Sequence, residues 1–486
     1  MSAQISAQVS AEAATEVSRL PVAPVPEPLQ SPLAKPSRTR GRLRRATALG
    51  VIAGCNAMIQ LDDPIVNIAL PGMREGLGLS AVDAAWVINA YLLAFGGLLL
   101  LGGRAGDILG RRKVFLVGVG LFTAAASLRG LASSGELLVA IRAVQGIGAA
   151  LAAPSGLALL LSMFAEGASR KRAIAVCTAV GAVSTAGGLL LAGALASLSS
   201  WRWVLFLDVP LGLAILVLAP LVLAETPRHR GRFDLAGALV SALGAASLVY
   251  GLAQAAEREW SDPLVLTCVT AGAGLLAVFA RIERRAQQPI VVPRLFADRD
   301  RVLAYAVTLA VPGALIGTYF FLNQFFQRQN GWSPLMTAVA LLPLPVTMAV
   351  TAGAAVRLER QFGPKRLLAG GAVLLVTGNL SLATLGQGGS YATVVLPALV
   401  LLGAGMACSV LPPTILATSR LHSSEAGAAA SVLNALQTLG GSIGLATLVT
   451  VSVHGDGMSG GFLTGAVFAV VALLSAAFLR PGRTAQ

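Results

Sequence analysis

From residue 46 to residue 480 the chain runs through fourteen apolar stretches, each close to the ~20 residues a helix needs to cross a hydrocarbon core about 30 Å thick. They fall at 46–70, 82–102, 113–131, 137–163, 172–198, 202–223, 235–254, 262–280, 302–326, 334–356, 366–386, 391–418, 426–454 and 461–479. Each run is continuous, whereas membrane barrel strands alternate over about ten residues, so the expected fold is all-α and multi-pass. Of 486 residues 55% are hydrophobic and 12% charged, too few charges to surface a water-soluble chain of this length. The 54 glycines suit close helix packing in lipid, and GAGMACS (403–409) and LGGSIGLA (439–446) read as contact faces.

A net charge of +14 raises nucleic acid as a partner, and the placement of the cations excludes it. With the amino terminus inside, the cytoplasmic side holds SRTRGRLRR (37–45), SRKR (169–172), PRHRGR (227–232) and RIERR (281–285), while the outer loops hold Arg74, Arg129, Arg202, Arg258 and Arg328. This is the positive-inside asymmetry, and an even number of crossings returns the carboxyl terminus to the cytoplasm. The rarity of lysine beside arginine suggests a GC-rich bacterial source, hence a bacterial cytoplasmic membrane. Residues 1–45, with PVAPVPEP before the basic cluster, read as a disordered tail without a cleavable signal. Cys55, Cys177, Cys268 and Cys408 lie in different runs without metal-ligand spacing and read as buried free thiols. His229, His422 and His454 are scattered, so the chain does not read as an enzyme and needs no cofactor beyond a coupling proton.

Between the second and third runs stands GGRAGDILGRRKVFLVG (102–118), and AAVRLERQFGPKRLLAGG (354–371) stands between the tenth and eleventh. Each is short and basic, with cations after a glycine, Gly110 or Gly363. A six-helix unit repeated after an insert accounts for the pair, and repeats of this kind place a substrate path between the units. The expected organisation is a tail (1–45), a first six-helix bundle (46–224), a two-helix insert (225–290), a second, pseudo-symmetric six-helix bundle (291–480) and a short cytoplasmic tail (481–486).

On these residues the chain resembles the fourteen-helix drug:proton antiporter branch of the major facilitator superfamily. GGRAGDILGRR is similar to the superfamily's loop signature, with Gly103, Asp107, Gly110, Arg111 and Arg112 in its key places. LLVAIRAVQGIGAAL (137–151) is similar to the fourth-helix motif around Arg142, Gln145 and Gly146, LDDPIVNIALP (61–71) to the first-helix signature, and WVINAYLLAFGGLLLLGG and WRWVLFLDVPLG add further matches. The resemblance implies proton-driven export of small amphiphilic molecules, with the Asp107 loop helping to hold the cytoplasmic side closed. Three positions depart from the pattern. GAVSTAGG keeps Gly187 and Gly188 but has Val183 and Ser184 where the fifth-helix antiporter motif carries Gly-Pro, Asp208 stands at a usual asparagine, and Ile108 replaces a usual cation. The first departure keeps a proton-coupled importer of a small metabolite open as an alternative. A sensor or scaffold would need a soluble signalling segment, and no polar stretch after residue 45 exceeds a loop.

A charge at bilayer depth costs about 2.5–3.5 kcal/mol on insertion scales, which makes Arg142 a functional candidate. At about 1.5 Å per residue, Arg142 lies roughly 9 Å below the outer boundary and Asp62 about 6 Å below it, close enough to pair. Asp208 lies at a similar level and competes. The resemblance picks Asp62 for proton coupling. Helical spacing instead picks Asp63, because Asn56, Gln60, Asp63 and Asn67 recur at i, i+4, i+7 and i+11 and draw one polar stripe on an apolar helix. An aspartate whose distance from Arg142 changes with conformation would change its proton affinity. Asn56, Gln60, Asn67, Asn89 and Tyr91, with Gln145, are candidates to line a substrate path, joined by Ser431, Asn434 and Gln437 on the thirteenth run and by the aromatic area of Phe320, Phe321, Phe325 and Phe326. Few fixed charges and much apolar surface favour an amphiphilic substrate, carried by a protein that functions as a monomer in the lipid bilayer.

Overall fold

The computed structural model of the chain describes residues 38–164, 167–225, 235–255, 258–285, 293–385, 390–418, 423–454 and 457–480. Residues 1–44 and 45–486 form two units. Of the first, the described part is the opening of a helix, so residues 38–45 are helical rather than part of a tail. The remaining tail residues, the PRHRGR run with His229, His422 and residues 481–486 lie outside the described residues.

The first six helices are α1 (Arg38–Leu77), α2 (Ala81–Leu109), α3 (Arg111–Arg129), α4 (Gly135–Met163), α5 (Ala168–Leu198) and α6 (Asp208–Val222). Two more, α7 (Leu235–Gln254) and α8 (Pro263–Arg285), follow. The last group is α9 (Arg299–Gln324), α10 (Pro334–Leu341), α11 (Pro343–Ala383), α12 (Leu396–Thr418), α13 (Ser423–His454) and α14 (Met458–Phe478). Among the described residues there is no strand, and ten helical stretches are long and apolar enough to cross a membrane. In lipid the helix satisfies its own backbone, which is why the apolar runs fold this way. The sequence boundaries shift in two places for local reasons. The run 202–223 breaks into a single turn, Trp201–Val204, before α6. The runs 334–356 and 366–386 meet in α11, bent at Gly363 where φ is 78°.

Glycine brings helix backbones into contact, and the same joint occurs twice. In GIG (146–148), a Cβ on Gly146 would meet the Tyr91 carbonyl of α2 at 2.5 Å, and one on Gly148 would meet the Phe122 nitrogen of α3 at 2.6 Å. In GAG (403–405), a Cβ on Gly403 would meet the Leu344 carbonyl of α11 at 2.5 Å, and one on Gly405 the Gly371 carbonyl at 2.8 Å. The first joint holds three helices, and the second holds α12 on the two arms of α11 either side of Gly363, closer than any side chain permits. The LGGSIGLA face packs α13 on α9 by the same means, through Gly440 against Leu309 and Gly444 against Gly313. The α7–α8 pair lies against the seam of α2 and α13: Gly97 faces Ala242, the Trp86 and Tyr250 rings lie 5.5 Å apart, and Thr450 donates to the Leu252 carbonyl at 2.6 Å.

Contacts between the two groups of helices gather away from the Gly110 turn. Pro71 in α1 has no N–H, so the carbonyl four residues earlier, Asn67, is released from the helix. Asn323 of α9 donates its amide to that carbonyl. Gln327 donates to the Ile68 carbonyl at 3.2 Å, and Arg74 donates to Gln324. Ser197 at the end of α5 accepts from the Leu335 amide of α10 at 3.0 Å, and Ser442 of α13 hydrogen-bonds Asn89 of α2 at 3.0 Å. Of the cysteines, Cys55 and Cys408 are buried as expected, whereas Cys177 and Cys268 are half-buried; all four are free.

Candidate functional site

Four helix segments bring charge to one buried point. Ser134 caps α4 by accepting from the Leu137 amide at 3.3 Å, and Arg142, Gln145, Gly146 and Ala149 fall on its buried face. Arg142 donates from Nη1 to Asp62 Oδ2 at 2.5 Å and to Gln145 Oε1 at 2.8 Å, and from Nε to the Val87 carbonyl of α2 at 2.8 Å. Its guanidinium lies 4.4 Å over the Tyr91 ring, a contact worth about 2 kcal/mol when desolvated. Gln145 Nε2 donates to Asp62 Oδ1 at 2.9 Å. The expected Asp62–Arg142 pair is therefore formed, with Gln145 as its third member.

Arg129 corrects the sequence reading. Its position at the end of the third run makes it an outer-loop cation by charge topology, yet it is 0% exposed. The last turn of α3 directs it inward, where it donates from Nη1 to Asp62 and to Gln145 Oε1 at 3.1 Å. Nη2 reaches Asp208 Oδ2 at 2.5 Å and the Leu205 carbonyl at 3.0 Å, and Nε reaches the same carbonyl at 3.2 Å. That carbonyl sits in the break between Trp201–Val204 and α6, and Asp208 occupies the first turn of α6, where a carboxylate meets the positive end of the helix. Asp208 thus pairs with Arg129 and does not compete for Arg142. A count of charge at this depth carries the missing signal: Asp62 and Asp208 against Arg142 alone would leave a net negative charge in lipid, and a second cation balances it.

The two adjacent aspartates take separate surroundings. Asp62 is buried in the cluster, while Asp63 is exposed on the polar stripe of α1. Along that stripe Asn56 donates to the Cys177 carbonyl of α5 at 3.0 Å, Gln60 is exposed, and Asn67 is buried, its amide on the Asp63 carbonyl at 2.9 Å. Asn434 and Gln437 on α13 are also exposed, and the side chain of Ser431 lies outside the described residues. Other candidates sit in helix contacts: Asn89 binds Ser442, Tyr91 lies under Arg142, and Phe321 is buried edge-on to Phe320 and Phe462 at 5.3 and 5.7 Å. Phe326 stacks on Trp332 at 4.4 Å, and Phe325 packs on Phe326 at 5.6 Å.

At the Gly110 turn, φ is 106°, a conformation that favours glycine. Asp107 accepts from Arg111 Nε at 3.0 Å and Nη2 at 2.9 Å across the turn, and Arg111 also reaches the Ala158 carbonyl of α4 at 3.4 Å. Glu225, which sequence reading passed over, accepts from the Arg112 amide at 3.1 Å at the start of α3, and a Cβ on Gly110 would strike its carboxylate at 2.9 Å. Arg112 Nη2 reaches the Pro220 carbonyl of α6 at 2.9 Å. The turn thereby ties α2, α3, α4 and the end of α6 together, and Gly103 lies one helix turn before Asp107 with Pro154 of α4 beside it.

Comparison with known proteins gives a consistent result. The model of the Major Facilitator Superfamily matches residues 52–445. A puromycin resistance protein of Streptomyces alboniger is 39% identical over 459 residues, covering 90% of this chain and 90% of its own. A cephamycin export protein of Amycolatopsis lactamdurans is 36% identical, covering 88% of each. Among solved structures, a POT family transporter in complex with a thioalcohol-conjugated peptide superposes with a TM-score of 0.65 at 17% identity, over 88% of this chain and 95% of that one, a likeness of fold alone.

Proposed function

The chain belongs to the Major Facilitator Superfamily, and from that premise we propose that it exports small amphiphilic antibiotics or drugs across a bacterial cytoplasmic membrane, driven by proton entry. The observation that carries this reading is the buried Asp62–Arg142–Gln145 site joined to Arg129 and Asp208. Such a cluster is costly in lipid and is kept where protonation has work to perform. The two antibiotic-related relatives support the direction and class of substrate. One proton moving inward supplies about 2.3 kcal/mol per 100 mV, enough to drive a substrate outward.

In this reading the chain crosses the membrane fourteen times with both termini in the cytoplasm. The ten apolar stretches support it once α1, the cation-flanked α3 and the short apolar part of α7 are added and the Pro334–Ala383 stretch is divided at Gly363. The repeated glycine joints support two pseudo-symmetric six-helix bundles, with α7–α8 as an insert at their seam. Cations at the Gly110 turn set that side in the cytoplasm. The α1–α9 and α5–α10 contacts then close the outer side, and substrate enters from inside past the exposed Gln60, Asp63, Asn434 and Gln437. The protein works as a monomer, with the proton as its coupling ion and no other cofactor.

The test is puromycin uptake into inside-out vesicles from a host expressing the chain. Energised vesicles accumulate puromycin above empty-host vesicles and lose it on addition of a protonophore; uptake equal to the empty host refutes export. The Gly110 turn acts as a latch on one state. Asp107 and Arg111 keep 42% and 26% of their side-chain surface exposed, so their pair contributes only about 0–1 kcal/mol to stability. Asp107→Ala should therefore leave expression and melting unchanged while transport falls about fivefold, the effect of ~1 kcal/mol on a two-state equilibrium. Transport at the unmodified rate would remove the latch.

A further inference from the structure

We propose that Asp208 is a second proton-binding site, distinct from Asp62, and that Arg129 is the residue that makes it one. The proposal rests on the proton-coupled reading above and adds a carrier to it.

The hydrogen bonds of the cluster identify the atom. Arg129 has five N–H donors, and all five have acceptors: Leu205 twice, Asp62, Gln145 and Asp208. Both oxygens of Asp62 accept, Oδ1 from Arg129 and Gln145 and Oδ2 from Arg142. Asp208 accepts from Arg129 through Oδ2, while its Oδ1 is buried with no donor. It is the only carboxylate oxygen of the cluster in that condition. An ionised carboxylate with a bare oxygen in a dry site is costly, and a proton on Oδ1 removes that charge. The Asp62 carboxylate is held on the other Nη of the same guanidinium, so the two acids share one cation.

Charge pairing supports a second carrier. Asp208 is bonded to Arg129 of α3; the same guanidinium holds Asp62 of α1 and Gln145 of α4, and Arg142 of α4, over the Tyr91 ring of α2, pairs with Asp62. With both acids ionised, two carboxylates balance two guanidiniums. A one-proton device needs one acid and one guanidinium, as Asp62 and Arg142 supply. Arg129 and Asp208 form a complete second set on α3 and α6. A proton taken from water binds Asp208 Oδ1, frees Nη2 of Arg129 from its counter-ion, and loosens the tie between these helices; release to water on the other side restores it. Only the O–H bond forms and breaks.

Infrared difference spectra of the purified full-length protein, recorded between alkaline and mildly acidic buffer without substrate, test this apart from transport. The unmodified protein should show a buried protonated carboxyl band, slow to shift in deuterium oxide. Asp208→Asn should lose it, and Asp208→Glu should retain it at a shifted frequency. No buried band in the unmodified protein, or an unchanged band in Asp208→Asn, overturns the proposal. The first of these needs no variant to fold. Because no substrate is present, the spectra can fail while vesicle uptake succeeds, which separates this inference from the reading it extends.

Discussion

Arg129→Met protein should be among the least stable single variants of this chain. The substitution keeps apolar bulk but leaves Asp62 on Arg142 and Gln145 alone, with Asp208 losing the donor that holds its Oδ2 and the Leu205 carbonyl losing both of its Arg129 contacts. Removing one partner from a buried ion pair typically costs about 3–5 kcal/mol. The measurement is thermal unfolding in mild detergent, where the variant should melt well below the parent. The double change Arg129→Met with Asp208→Asn should recover part of the loss, because the uncompensated charge is gone. A single variant that melts with the parent would mean that Arg129 carries no buried charge.

Gly148→Ala should be nearly as damaging for a different reason. Its added methyl would stand 2.6 Å from the Phe122 nitrogen and 2.8 Å from the Gly118 carbonyl, and backbone cannot rotate aside as a side chain can. The helices α3 and α4 must part, and overpacking of this kind costs about 1–3 kcal/mol. Gly274→Ala in α8 has the opposite sign. Nothing lies within 4 Å of its Cβ position, and alanine in a helix gains about 0.5–1 kcal/mol over glycine. Melting of the two variants side by side checks both, and equal effects would refute the packing argument.

Much of this architecture is legible without coordinates because the membrane imposes one length on every helix. The Asp62–Arg142 pairing is legible for a related reason: helical rise converts sequence distance into depth, and the two depths agree. Arg129 is not legible in that way. A residue in the last turn of a helix can point to water or curl inward, and rise along the axis is the same for both. The Asp62–Asp63 ambiguity dissolves for a similar reason, since neighbouring residues on a helix face about 100° apart and here serve different surroundings. Asn89, Tyr91 and Phe321 show the limit of residue type as a guide: an amide or an aromatic ring suits a substrate path and a helix contact equally, and only the neighbours Ser442, Arg142 and Phe462 decide which.

The twice-used glycine joint has a consequence for how work is divided. Leu399 and Leu402 stand before GAG where Arg142 and Gln145 stand before GIG, and Leu382 follows Gly371 at the interval by which Arg129 follows Gly118. All three leucines are buried. The two joints share their glycines, but among the described residues only the earlier one has buried charged side chains at these positions. In the proposed cycle the later joint is a greased counterweight, moved by events at its twin and binding no proton of its own.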